Sequence, residues 1–522
     1  MTATVLADVV DIREGLPPRR RVAVSIDEWW RRHRRSLLVL APILAAVAAA
    51  HLFGASGARY VDDPGTYLSQ AWALRYEGSL SPYSYFYDHA PAGWMQIALW
   101  AALTNGFDRY DSALAFGVEC MLLAKLASTV LIFALARRLG FPRVAGAATA
   151  LLFGLCPLEV VYGRWTFLDN LVVPWLLAAL VLAASPRRSI LAATGATLCF
   201  AMATLTKETA LVLLPAFAWA VWQNLDPRNR AQVLAVAACS GALLMSLYPL
   251  FALYKGEFFA GPGHNSLLGT AHWQLVDRPS SGSLLDRDSA GRALLTSWLG
   301  YDRILLVLGA VAAAPALLIR PLRPVVAMHA IQWFVLIRGG YVPFMHVINL
   351  VPGSALLTVG VLVAVGGRTA APSWRRLVAL GAGAALAGTA AIAWTGPLLQ
   401  AAEAGRPALR SAELWVADNV PRDAQLVVHD AIWTDLVHHY GFDPRPIIVY
   451  KLDTDPAVQR ATRRVDYLVL PNWYYETQGA DKYPTVMEAR RHAIVVAEFG
   501  GGSDGVRIYR VSRFWQPTWS GR

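Results

Sequence analysis

Charged side chains are sparse in this chain, so the places where they gather draw attention first. Asp62 and Asp63 follow Arg59-Tyr60-Val61 and precede Pro64. A carboxylate there would take the proton from an acceptor hydroxyl as a general base, although paired acids at a helix exit also serve as caps. Downstream, Asp88 and His89 close an aromatic run, Tyr83-Ser84-Tyr85-Phe86-Tyr87. Asp169 opens an apolar run just after Arg164, whose guanidinium fork suits a phosphate or carboxylate. An Asp in that position is equally suited to N-capping. Lys207 is one of five lysines, with Lys125, Lys255, Lys451 and Lys482, in a chain that otherwise uses Arg. A compact ammonium at an interface suits a lipid phosphate, whereas Lys207 and Glu208, at i and i+1, do not face each other. Arg338, before Gly339-Gly340, is a further anion contact. His264 and His272, together with Asp88 or His89, are of the types that hold a divalent metal. Two other groups read as structural. Glu119 and Lys125 lie six residues apart on different faces of one helix, and His429, His438 and His439 near Asp430 and Asp435 form a helix face without catalysis.

The elements that must position these groups are membrane spans. The chain has 522 residues, is 56% hydrophobic and 16% charged, with a mean hydropathy of +0.39. That is too apolar for an ordinary soluble enzyme, and it excludes disorder and a small disulfide scaffold. The four cysteines lie inside apolar runs and read as small buried hydrophobes. About eleven spans are expected, near 36–53, 112–135, 142–157, 169–184, 189–206, 210–223, 231–254, 303–319, 324–337, 342–366 and 376–397. With a cytoplasmic N-terminus, every inside connection bears Arg, as the positive-inside rule requires. The first run follows a polar, Arg-rich leader without a convincing cleavage site and is expected to remain as an anchor. The net charge of +11 is then a topology signal and an attraction to anionic lipid, with no nucleic acid needed.

Three regions result. A basic cytoplasmic segment covers 1–35. A transmembrane region covers 36–400, with a long first outer loop at 54–110 and a second at 255–301. Residues 401–522 form a small extracytoplasmic α/β domain, which carries 15 basic and 15 acidic residues and so no share of the excess charge. Its strands are expected at Gln425 to His429, Arg445 to Tyr450, Val465 to Leu470, Ala493 to Glu498 and Val506 to Val511, with helices at Arg410 to Asn419 and Ala431 to His439. Within the first loop, Gly65 to Glu77 is amphipathic, and Trp94 to Leu103 is too short to span and is expected to lie in the interface.

This layout and four short motifs resemble the GT-C superfamily of integral-membrane glycosyltransferases, in particular the protein O-mannosyltransferase and aminoarabinose-transferase group. Asp62-Asp63 stands where that family has an acidic pair after the first span. Tyr87-Asp88-His89-Ala90-Pro91 resembles its aromatic, acid, Lys, Pro stretch, with His89 in place of the lysine and Ala90 inserted. Thr166-Phe167-Leu168-Asp169 resembles its Thr-x-x-Asp, and Leu205-Thr206-Lys207 its Leu-Thr-Lys, with Glu208 where glycine is common. The resemblance implies that the first acid of the pair is the catalytic base, with Asp62 first and Asp63 its alternate, and that Asp169 belongs to the active site.

The expected reaction is inverting transfer of a sugar from a polyprenyl-phosphate donor to a hydroxyl on a glycan, lipid or protein, at the outer face of the plasma membrane. His89, Arg164, Lys207 and Arg338 would hold the donor phosphate, and a divalent metal on Asp88, His264 and His272 would assist. A multi-span transporter or lipid flippase is the alternative, weakened by the absence of a paired repeat and by polar groups gathered on one face.

Overall fold

The computed structural model describes residues 26–55, 63–261, 264–367, 373–403, 407–474 and 482–517. Each of the eleven expected runs carries a helix, from Ile26–Leu52 to Ser373–Glu403. Five helices are long and apolar enough to cross a bilayer: His33–Leu52, Ala113–Arg138, Arg230–Tyr254, Phe344–Gly366 and Ser373–Gln400. Two bent pairs, Arg143–Leu155 with Pro157–Gly163 (51°) and Ala290–Tyr301 with Arg303–Ala316 (111°), bring the number up to seven among the described residues if each pair is one span. The chain is thus an integral membrane protein by the length and composition of its helices. By contacts it divides at Pro42, and everything described below lies in the second unit, Ile43–Arg522.

Helices Leu168–Ala183 and Ile190–Thr206 are shorter, with 16 and 17 residues, or about 24–26 Å at 1.5 Å per residue. The link between them is brief, and the Ser189 side chain caps the second by accepting from the Ala192 backbone N–H. The two helices pack along each other. An antiparallel hairpin of this kind returns the chain to its starting level, so the residue opening the first helix meets the residue following the second.

The first outer loop is mostly helical. Pro64–Glu77 begins on a proline, whose missing N–H would have had no helical partner, and ends on Gly78 at φ 67°. Ala92–Thr104 ends on Asn105 at φ 51°. Helices thus form over both expected stretches, but Pro64 to Ala73 are buried on all sides, so the first is not the one-sided amphipathic helix expected from the sequence.

After residue 407 the chain builds a five-stranded sheet of β1 Leu426–Val428, β2 Ile447–Ile448, β3 Tyr467–Pro471, β4 Ala493–Phe499 and β5 Val506–Val511. The order is β2-β1-β3-β5-β4. β1 is parallel to both neighbours, with Val427 opposite Ile447 and Leu468, and is wholly buried, as a central parallel strand of Val and Leu should be. β5 runs antiparallel to β3 and β4. Helices Pro407–Asn419 and Asp430–His438 flank the sheet.

The sheet does not keep its core to itself. Leu68, Trp94, Phe107, Phe116 and Met121 pack in one buried cluster with Val428, Trp433, Leu436 and Ile508. Trp72 meets Trp433 edge to face at 5.6 Å between centroids. Gly65 is required at this joint, because a Cβ there would stand 2.2 Å from the carbonyl carbon of Asp430. The α/β segment is therefore welded to the loop that carries Asp63, Asp88 and His89.

Candidate active site

The hairpin accounts for a deeply buried ion pair. Lys207, just past Ile190–Thr206, places Nζ 2.6 Å from Asp169 Oδ2, and both side chains are at most 4% exposed. Asp169 Oδ1 accepts from Asn349 Nδ2 at 2.9 Å. Each oxygen of the Asp169 carboxylate thus has a partner, Lys207 on one and Asn349 on the other. Burial disfavours the ammonium, but the Asp169 carboxylate outweighs it and holds the Lys207 pKa above the ordinary value. Asp169 thereby fixes a permanent cation.

A second basic group is fixed in the same way. His89 Nδ1 lies 2.9 Å from Glu208 Oε1 and 3.1 Å from Oε2. Burial acts to lower the imidazole pKa, and the facing carboxylate more than reverses this, so His89 is raised. Lys207 and Glu208 indeed diverge, one to Asp169 and the other to His89. The loop around His89 is held by its neighbours: Tyr248 Oη donates to the carbonyls of Tyr87 and His89 at 3.2 and 3.3 Å, and Tyr85 Oη to that of His89 at 2.5 Å. The interfacial helix is tied to the hairpin through Gln96, whose Nε2 donates to Thr206 Oγ1 at 3.0 Å and whose Oε1 accepts from Trp175 at 2.8 Å.

Of the expected acidic pair, Asp63 is half-buried at the start of Pro64–Glu77. Asp62 lies outside the described residues. Asp63 has φ 92°, a left-handed conformation that side chains rarely adopt and that is held here by packing. Its backbone N–H, with the backbone N–H and hydroxyl of Thr66, donates to Asp430 Oδ2 at 3.2, 2.9 and 3.0 Å. An acid from the α/β segment thus caps the helix that presents Asp63. Asp435, on the same helix as Asp430, does the same for Ala113–Arg138 by accepting from the Ala113 N–H at 2.7 Å. The buried phenol of Tyr67 is pushed well up by burial and by the carboxylates of Asp63, Asp88, Asp169 and Glu208 around it. It remains a neutral donor among four acids.

Other expected residues lie elsewhere. The Arg164 guanidinium donates to the carbonyls of Ala50, His51 and Phe53, the end of Ile26–Leu52, at 2.8, 2.9 and 2.5 Å. That is a cation closing a helix C-terminus, and it corrects the expectation of a donor-phosphate contact. Arg338 is exposed at the end of Arg323–Ile337, outside the Lys207–His89 cluster. The metal set is also corrected. His272 pairs with Asp277 at 3.0 Å, and His264 Nε2 approaches the Phe259 carbonyl at 3.3 Å. Among the described residues no three His, Cys, Asp or Glu side chains converge on a metal position. The second outer segment instead touches the first through Glu257, which accepts from Tyr87 Oη at 2.6 Å, and Thr270, which donates to the Phe86 carbonyl at 2.6 Å. Glu119 and Lys125 do not pair: Glu119 takes Arg109, Trp100 and Tyr110, and Lys125 takes Glu159 at 2.5 Å.

Sequence reasoning missed Tyr67, Asn349, Asp430 and Lys451. Asn349 carried a signal, as a lone amide in an apolar span. Lys451 carried another, because three of the five lysines, Lys125, Lys207 and Lys451, prove to be buried. Nothing local to Tyr67 or Asp430 announced their partners, which for Asp430 lie 364 and 367 residues away.

The family model for dolichyl-phosphate-mannose-protein mannosyltransferase matches residues 88–250, which include His89, Asp169, Lys207 and Glu208. No curated protein matches the chain in sequence. In structure it resembles ArnT from Cupriavidus metallidurans bound to undecaprenyl phosphate, with a TM-score of 0.58 and 14% identity over 92% of this chain and 98% of that one. It also resembles the Archaeoglobus fulgidus oligosaccharyltransferase in the apo form, with a TM-score of 0.55 and 13% identity over 93% and 75%. The same archaeal enzyme, AglB, in complex with an inhibitory peptide and a dolichol-phosphate, gives 0.52 and 14% over 93% and 75%. The chain has the GT-C fold, and the resemblance read from its motifs stands.

Proposed function

We propose that this chain is a membrane glycosyltransferase that moves a sugar from a polyprenyl-phosphate carrier to a hydroxyl acceptor at the outer face of the membrane. The observation that carries this reading is the pair of oriented basic groups, Lys207 held by Asp169 and His89 held by Glu208, together with the carboxylate of Asp63 and the phenol of Tyr67. The GT-C neighbours bound to undecaprenyl phosphate and in complex with a dolichol-phosphate support the carrier class. The Arg-bearing alternate connections support a cytoplasmic N-terminus and an extracytoplasmic site and C-terminal segment.

In this mechanism Asp62 or Asp63 accepts the proton of the acceptor hydroxyl, and the oxygen attacks the anomeric carbon as the bond to the carrier phosphate breaks. Lys207 and protonated His89 balance the charge that develops on the departing phosphate, a stabilisation they supply without reorganising, because their carboxylate partners already hold them. A single displacement inverts the anomeric centre. Asp169 acts through Lys207 as a positioning residue, since both of its oxygens are occupied. No step is routed through a metal, because the expected ligands do not converge. The sugar, pentose or hexose, and the acceptor, glycan, lipid or protein, are left to experiment. Purified protein with radiolabelled polyprenyl-phosphate sugars and membrane extract should transfer label from at least one carrier. Substrate flux across vesicles with no turnover of any carrier would overturn the reading in favour of a transporter.

A further inference from the structure

We infer that Lys451, Asp88 and the ring of Phe86 form a sub-site for a hydroxylated sugar ring, contributed jointly by the α/β segment and the first outer loop. This rests on the glycosyl-transfer reading and extends it to a residue outside the transmembrane region.

Lys451 lies on Val449–Thr454, directly after β2, and is 5% exposed. Its Nζ is 3.3 Å from the centroid of the Phe86 ring and 5.4 and 5.8 Å from those of Tyr450 and Tyr83. Among the described residues the ammonium has no hydrogen-bond acceptor, and its electrostatic partners are Asp88 and Asp455. Asp455 is already engaged: its oxygens accept from the Ser84 backbone and hydroxyl and from the N–H groups of Ala457 and Val458. Asp88 is not, since Oδ1 is buried without a hydrogen-bond partner among the described residues. Burial pushes the lysine pKa down to about 8, with both carboxylates resisting, so the group is still mainly charged at neutral pH.

An ammonium without a hydrogen-bond acceptor and a buried carboxylate oxygen without a donor, within electrostatic reach of each other but not paired, are unfavourable unless something else bonds to both. A sugar does so, because one hydroxyl accepts from the ammonium while its neighbour donates to the carboxylate. A phosphate fits less well, since Asp88 would repel it. The leaving phosphate therefore belongs to Lys207 and His89, and the sugar to Lys451 and Asp88. That sugar is either the one being transferred or a residue of a glycan acceptor.

The test uses the purified full chain, labelled bare polyprenyl phosphate, labelled polyprenyl-phosphate mannose, glucose and arabinose, and the variants Lys451→Met and Asp88→Asn. Both variants are near-isosteric, and either alone suffices should the other fail to fold. The expected result is bare-carrier binding within twofold of wild type and at least tenfold weaker binding of a sugar-bearing carrier. If carrier binding is unchanged but the acceptor KM rises at least tenfold at similar kcat, the sub-site stands and holds the acceptor sugar. Equal weakening of bare and sugar-bearing carrier, or no change in any of these, overturns it. A wild-type chain that binds no carrier at all refutes the transferase reading instead. The sub-site is then judged by saturation-transfer NMR with methyl pyranosides, where a signal lost in Lys451→Met sustains it and an absent or unaltered one overturns it.

Discussion

The Asp169–Lys207 pair separates a structural from a chemical role for Lys207. At 2.6 Å, two unit charges in an effective dielectric of 20 attract by about 6 kcal/mol, a gross figure opposed by the desolvation of both groups. Removing one partner of such a buried pair costs roughly 3–5 kcal/mol, because the other charge is left uncompensated. Lys207→Met leaves Asp169 with only its Asn349 bond, and Asp169→Asn leaves a buried ammonium facing a neutral amide. Each single variant is expected to lose stability in that range, measured by reversible unfolding in detergent. The double variant, with both charges gone and shape preserved, should recover to within about 1–2 kcal/mol of wild type. Transfer should not follow stability. If Lys207 faces the leaving phosphate, the double variant folds but stays at least about 100-fold slower, as after removal of one charge-stabilising donor elsewhere. A double variant that regains transfer along with stability would refute the chemical role. Strictly additive single variants would refute the coupling itself.

Further outcomes follow from the same geometry. Asp63→Asn should keep its fold, since Asn tolerates a positive φ, while transfer falls by about 10²–10⁴ if Asp63 is the base; unchanged transfer would pass that role to Asp62, tested by Asp62→Asn. Transfer should decline as pH rises through the raised pKa of His89, and Glu208→Gln, by removing the group that raises it, should move this alkaline limb to lower pH; an unmoved limb in a pH–rate profile would count against His89. Asp430→Ala removes the acceptor of three donors from Asp63 and Thr66 and should lower stability by about 2 kcal/mol and transfer with it, Asp430→Asn doing less on both readouts. Glu413 is pushed up to about 9 by burial and by Asp435, against Arg410. Between its unfolded pKa near 4.3 and that value the folded chain holds a proton the unfolded chain has lost, so stability falls with rising pH by up to about 1.4 kcal/mol per unit. Glu413→Gln should flatten this slope in unfolding measured from pH 5 to 8.

Much of the scaffold was legible because its signals are local. A long apolar run specifies a helix whatever surrounds it, and all eleven runs carry one, although only five helices, or up to seven with the bent pairs, are long and apolar enough to cross a bilayer among the described residues. Alternation of apolar and polar residues located all five strands of the α/β segment, though β2 was expected at Arg445 to Tyr450 and pairs only over Ile447–Ile448. Residue spacing excluded a Glu119–Lys125 pair and a facing Lys207–Glu208 pair, whereas the pairing of Asp169 with Lys207 is seen only in the folded hairpin. What the chain could not reveal locally is where a side chain spends its charge. Arg164 has the same guanidinium whether it meets a phosphate or the carbonyls of Ala50, His51 and Phe53, and only the folded path of Ile26–Leu52 decides. The histidines at 264 and 272 have ligand chemistry but no shared vertex. Asp430 and Lys451 act on residues more than 360 positions earlier, through a core that the first loop and the sheet build together. Types and periodicity set which groups exist and on which element; tertiary packing alone set which of them meet, because burial makes a charge without a partner costly and only the folded chain decides which partners are in reach.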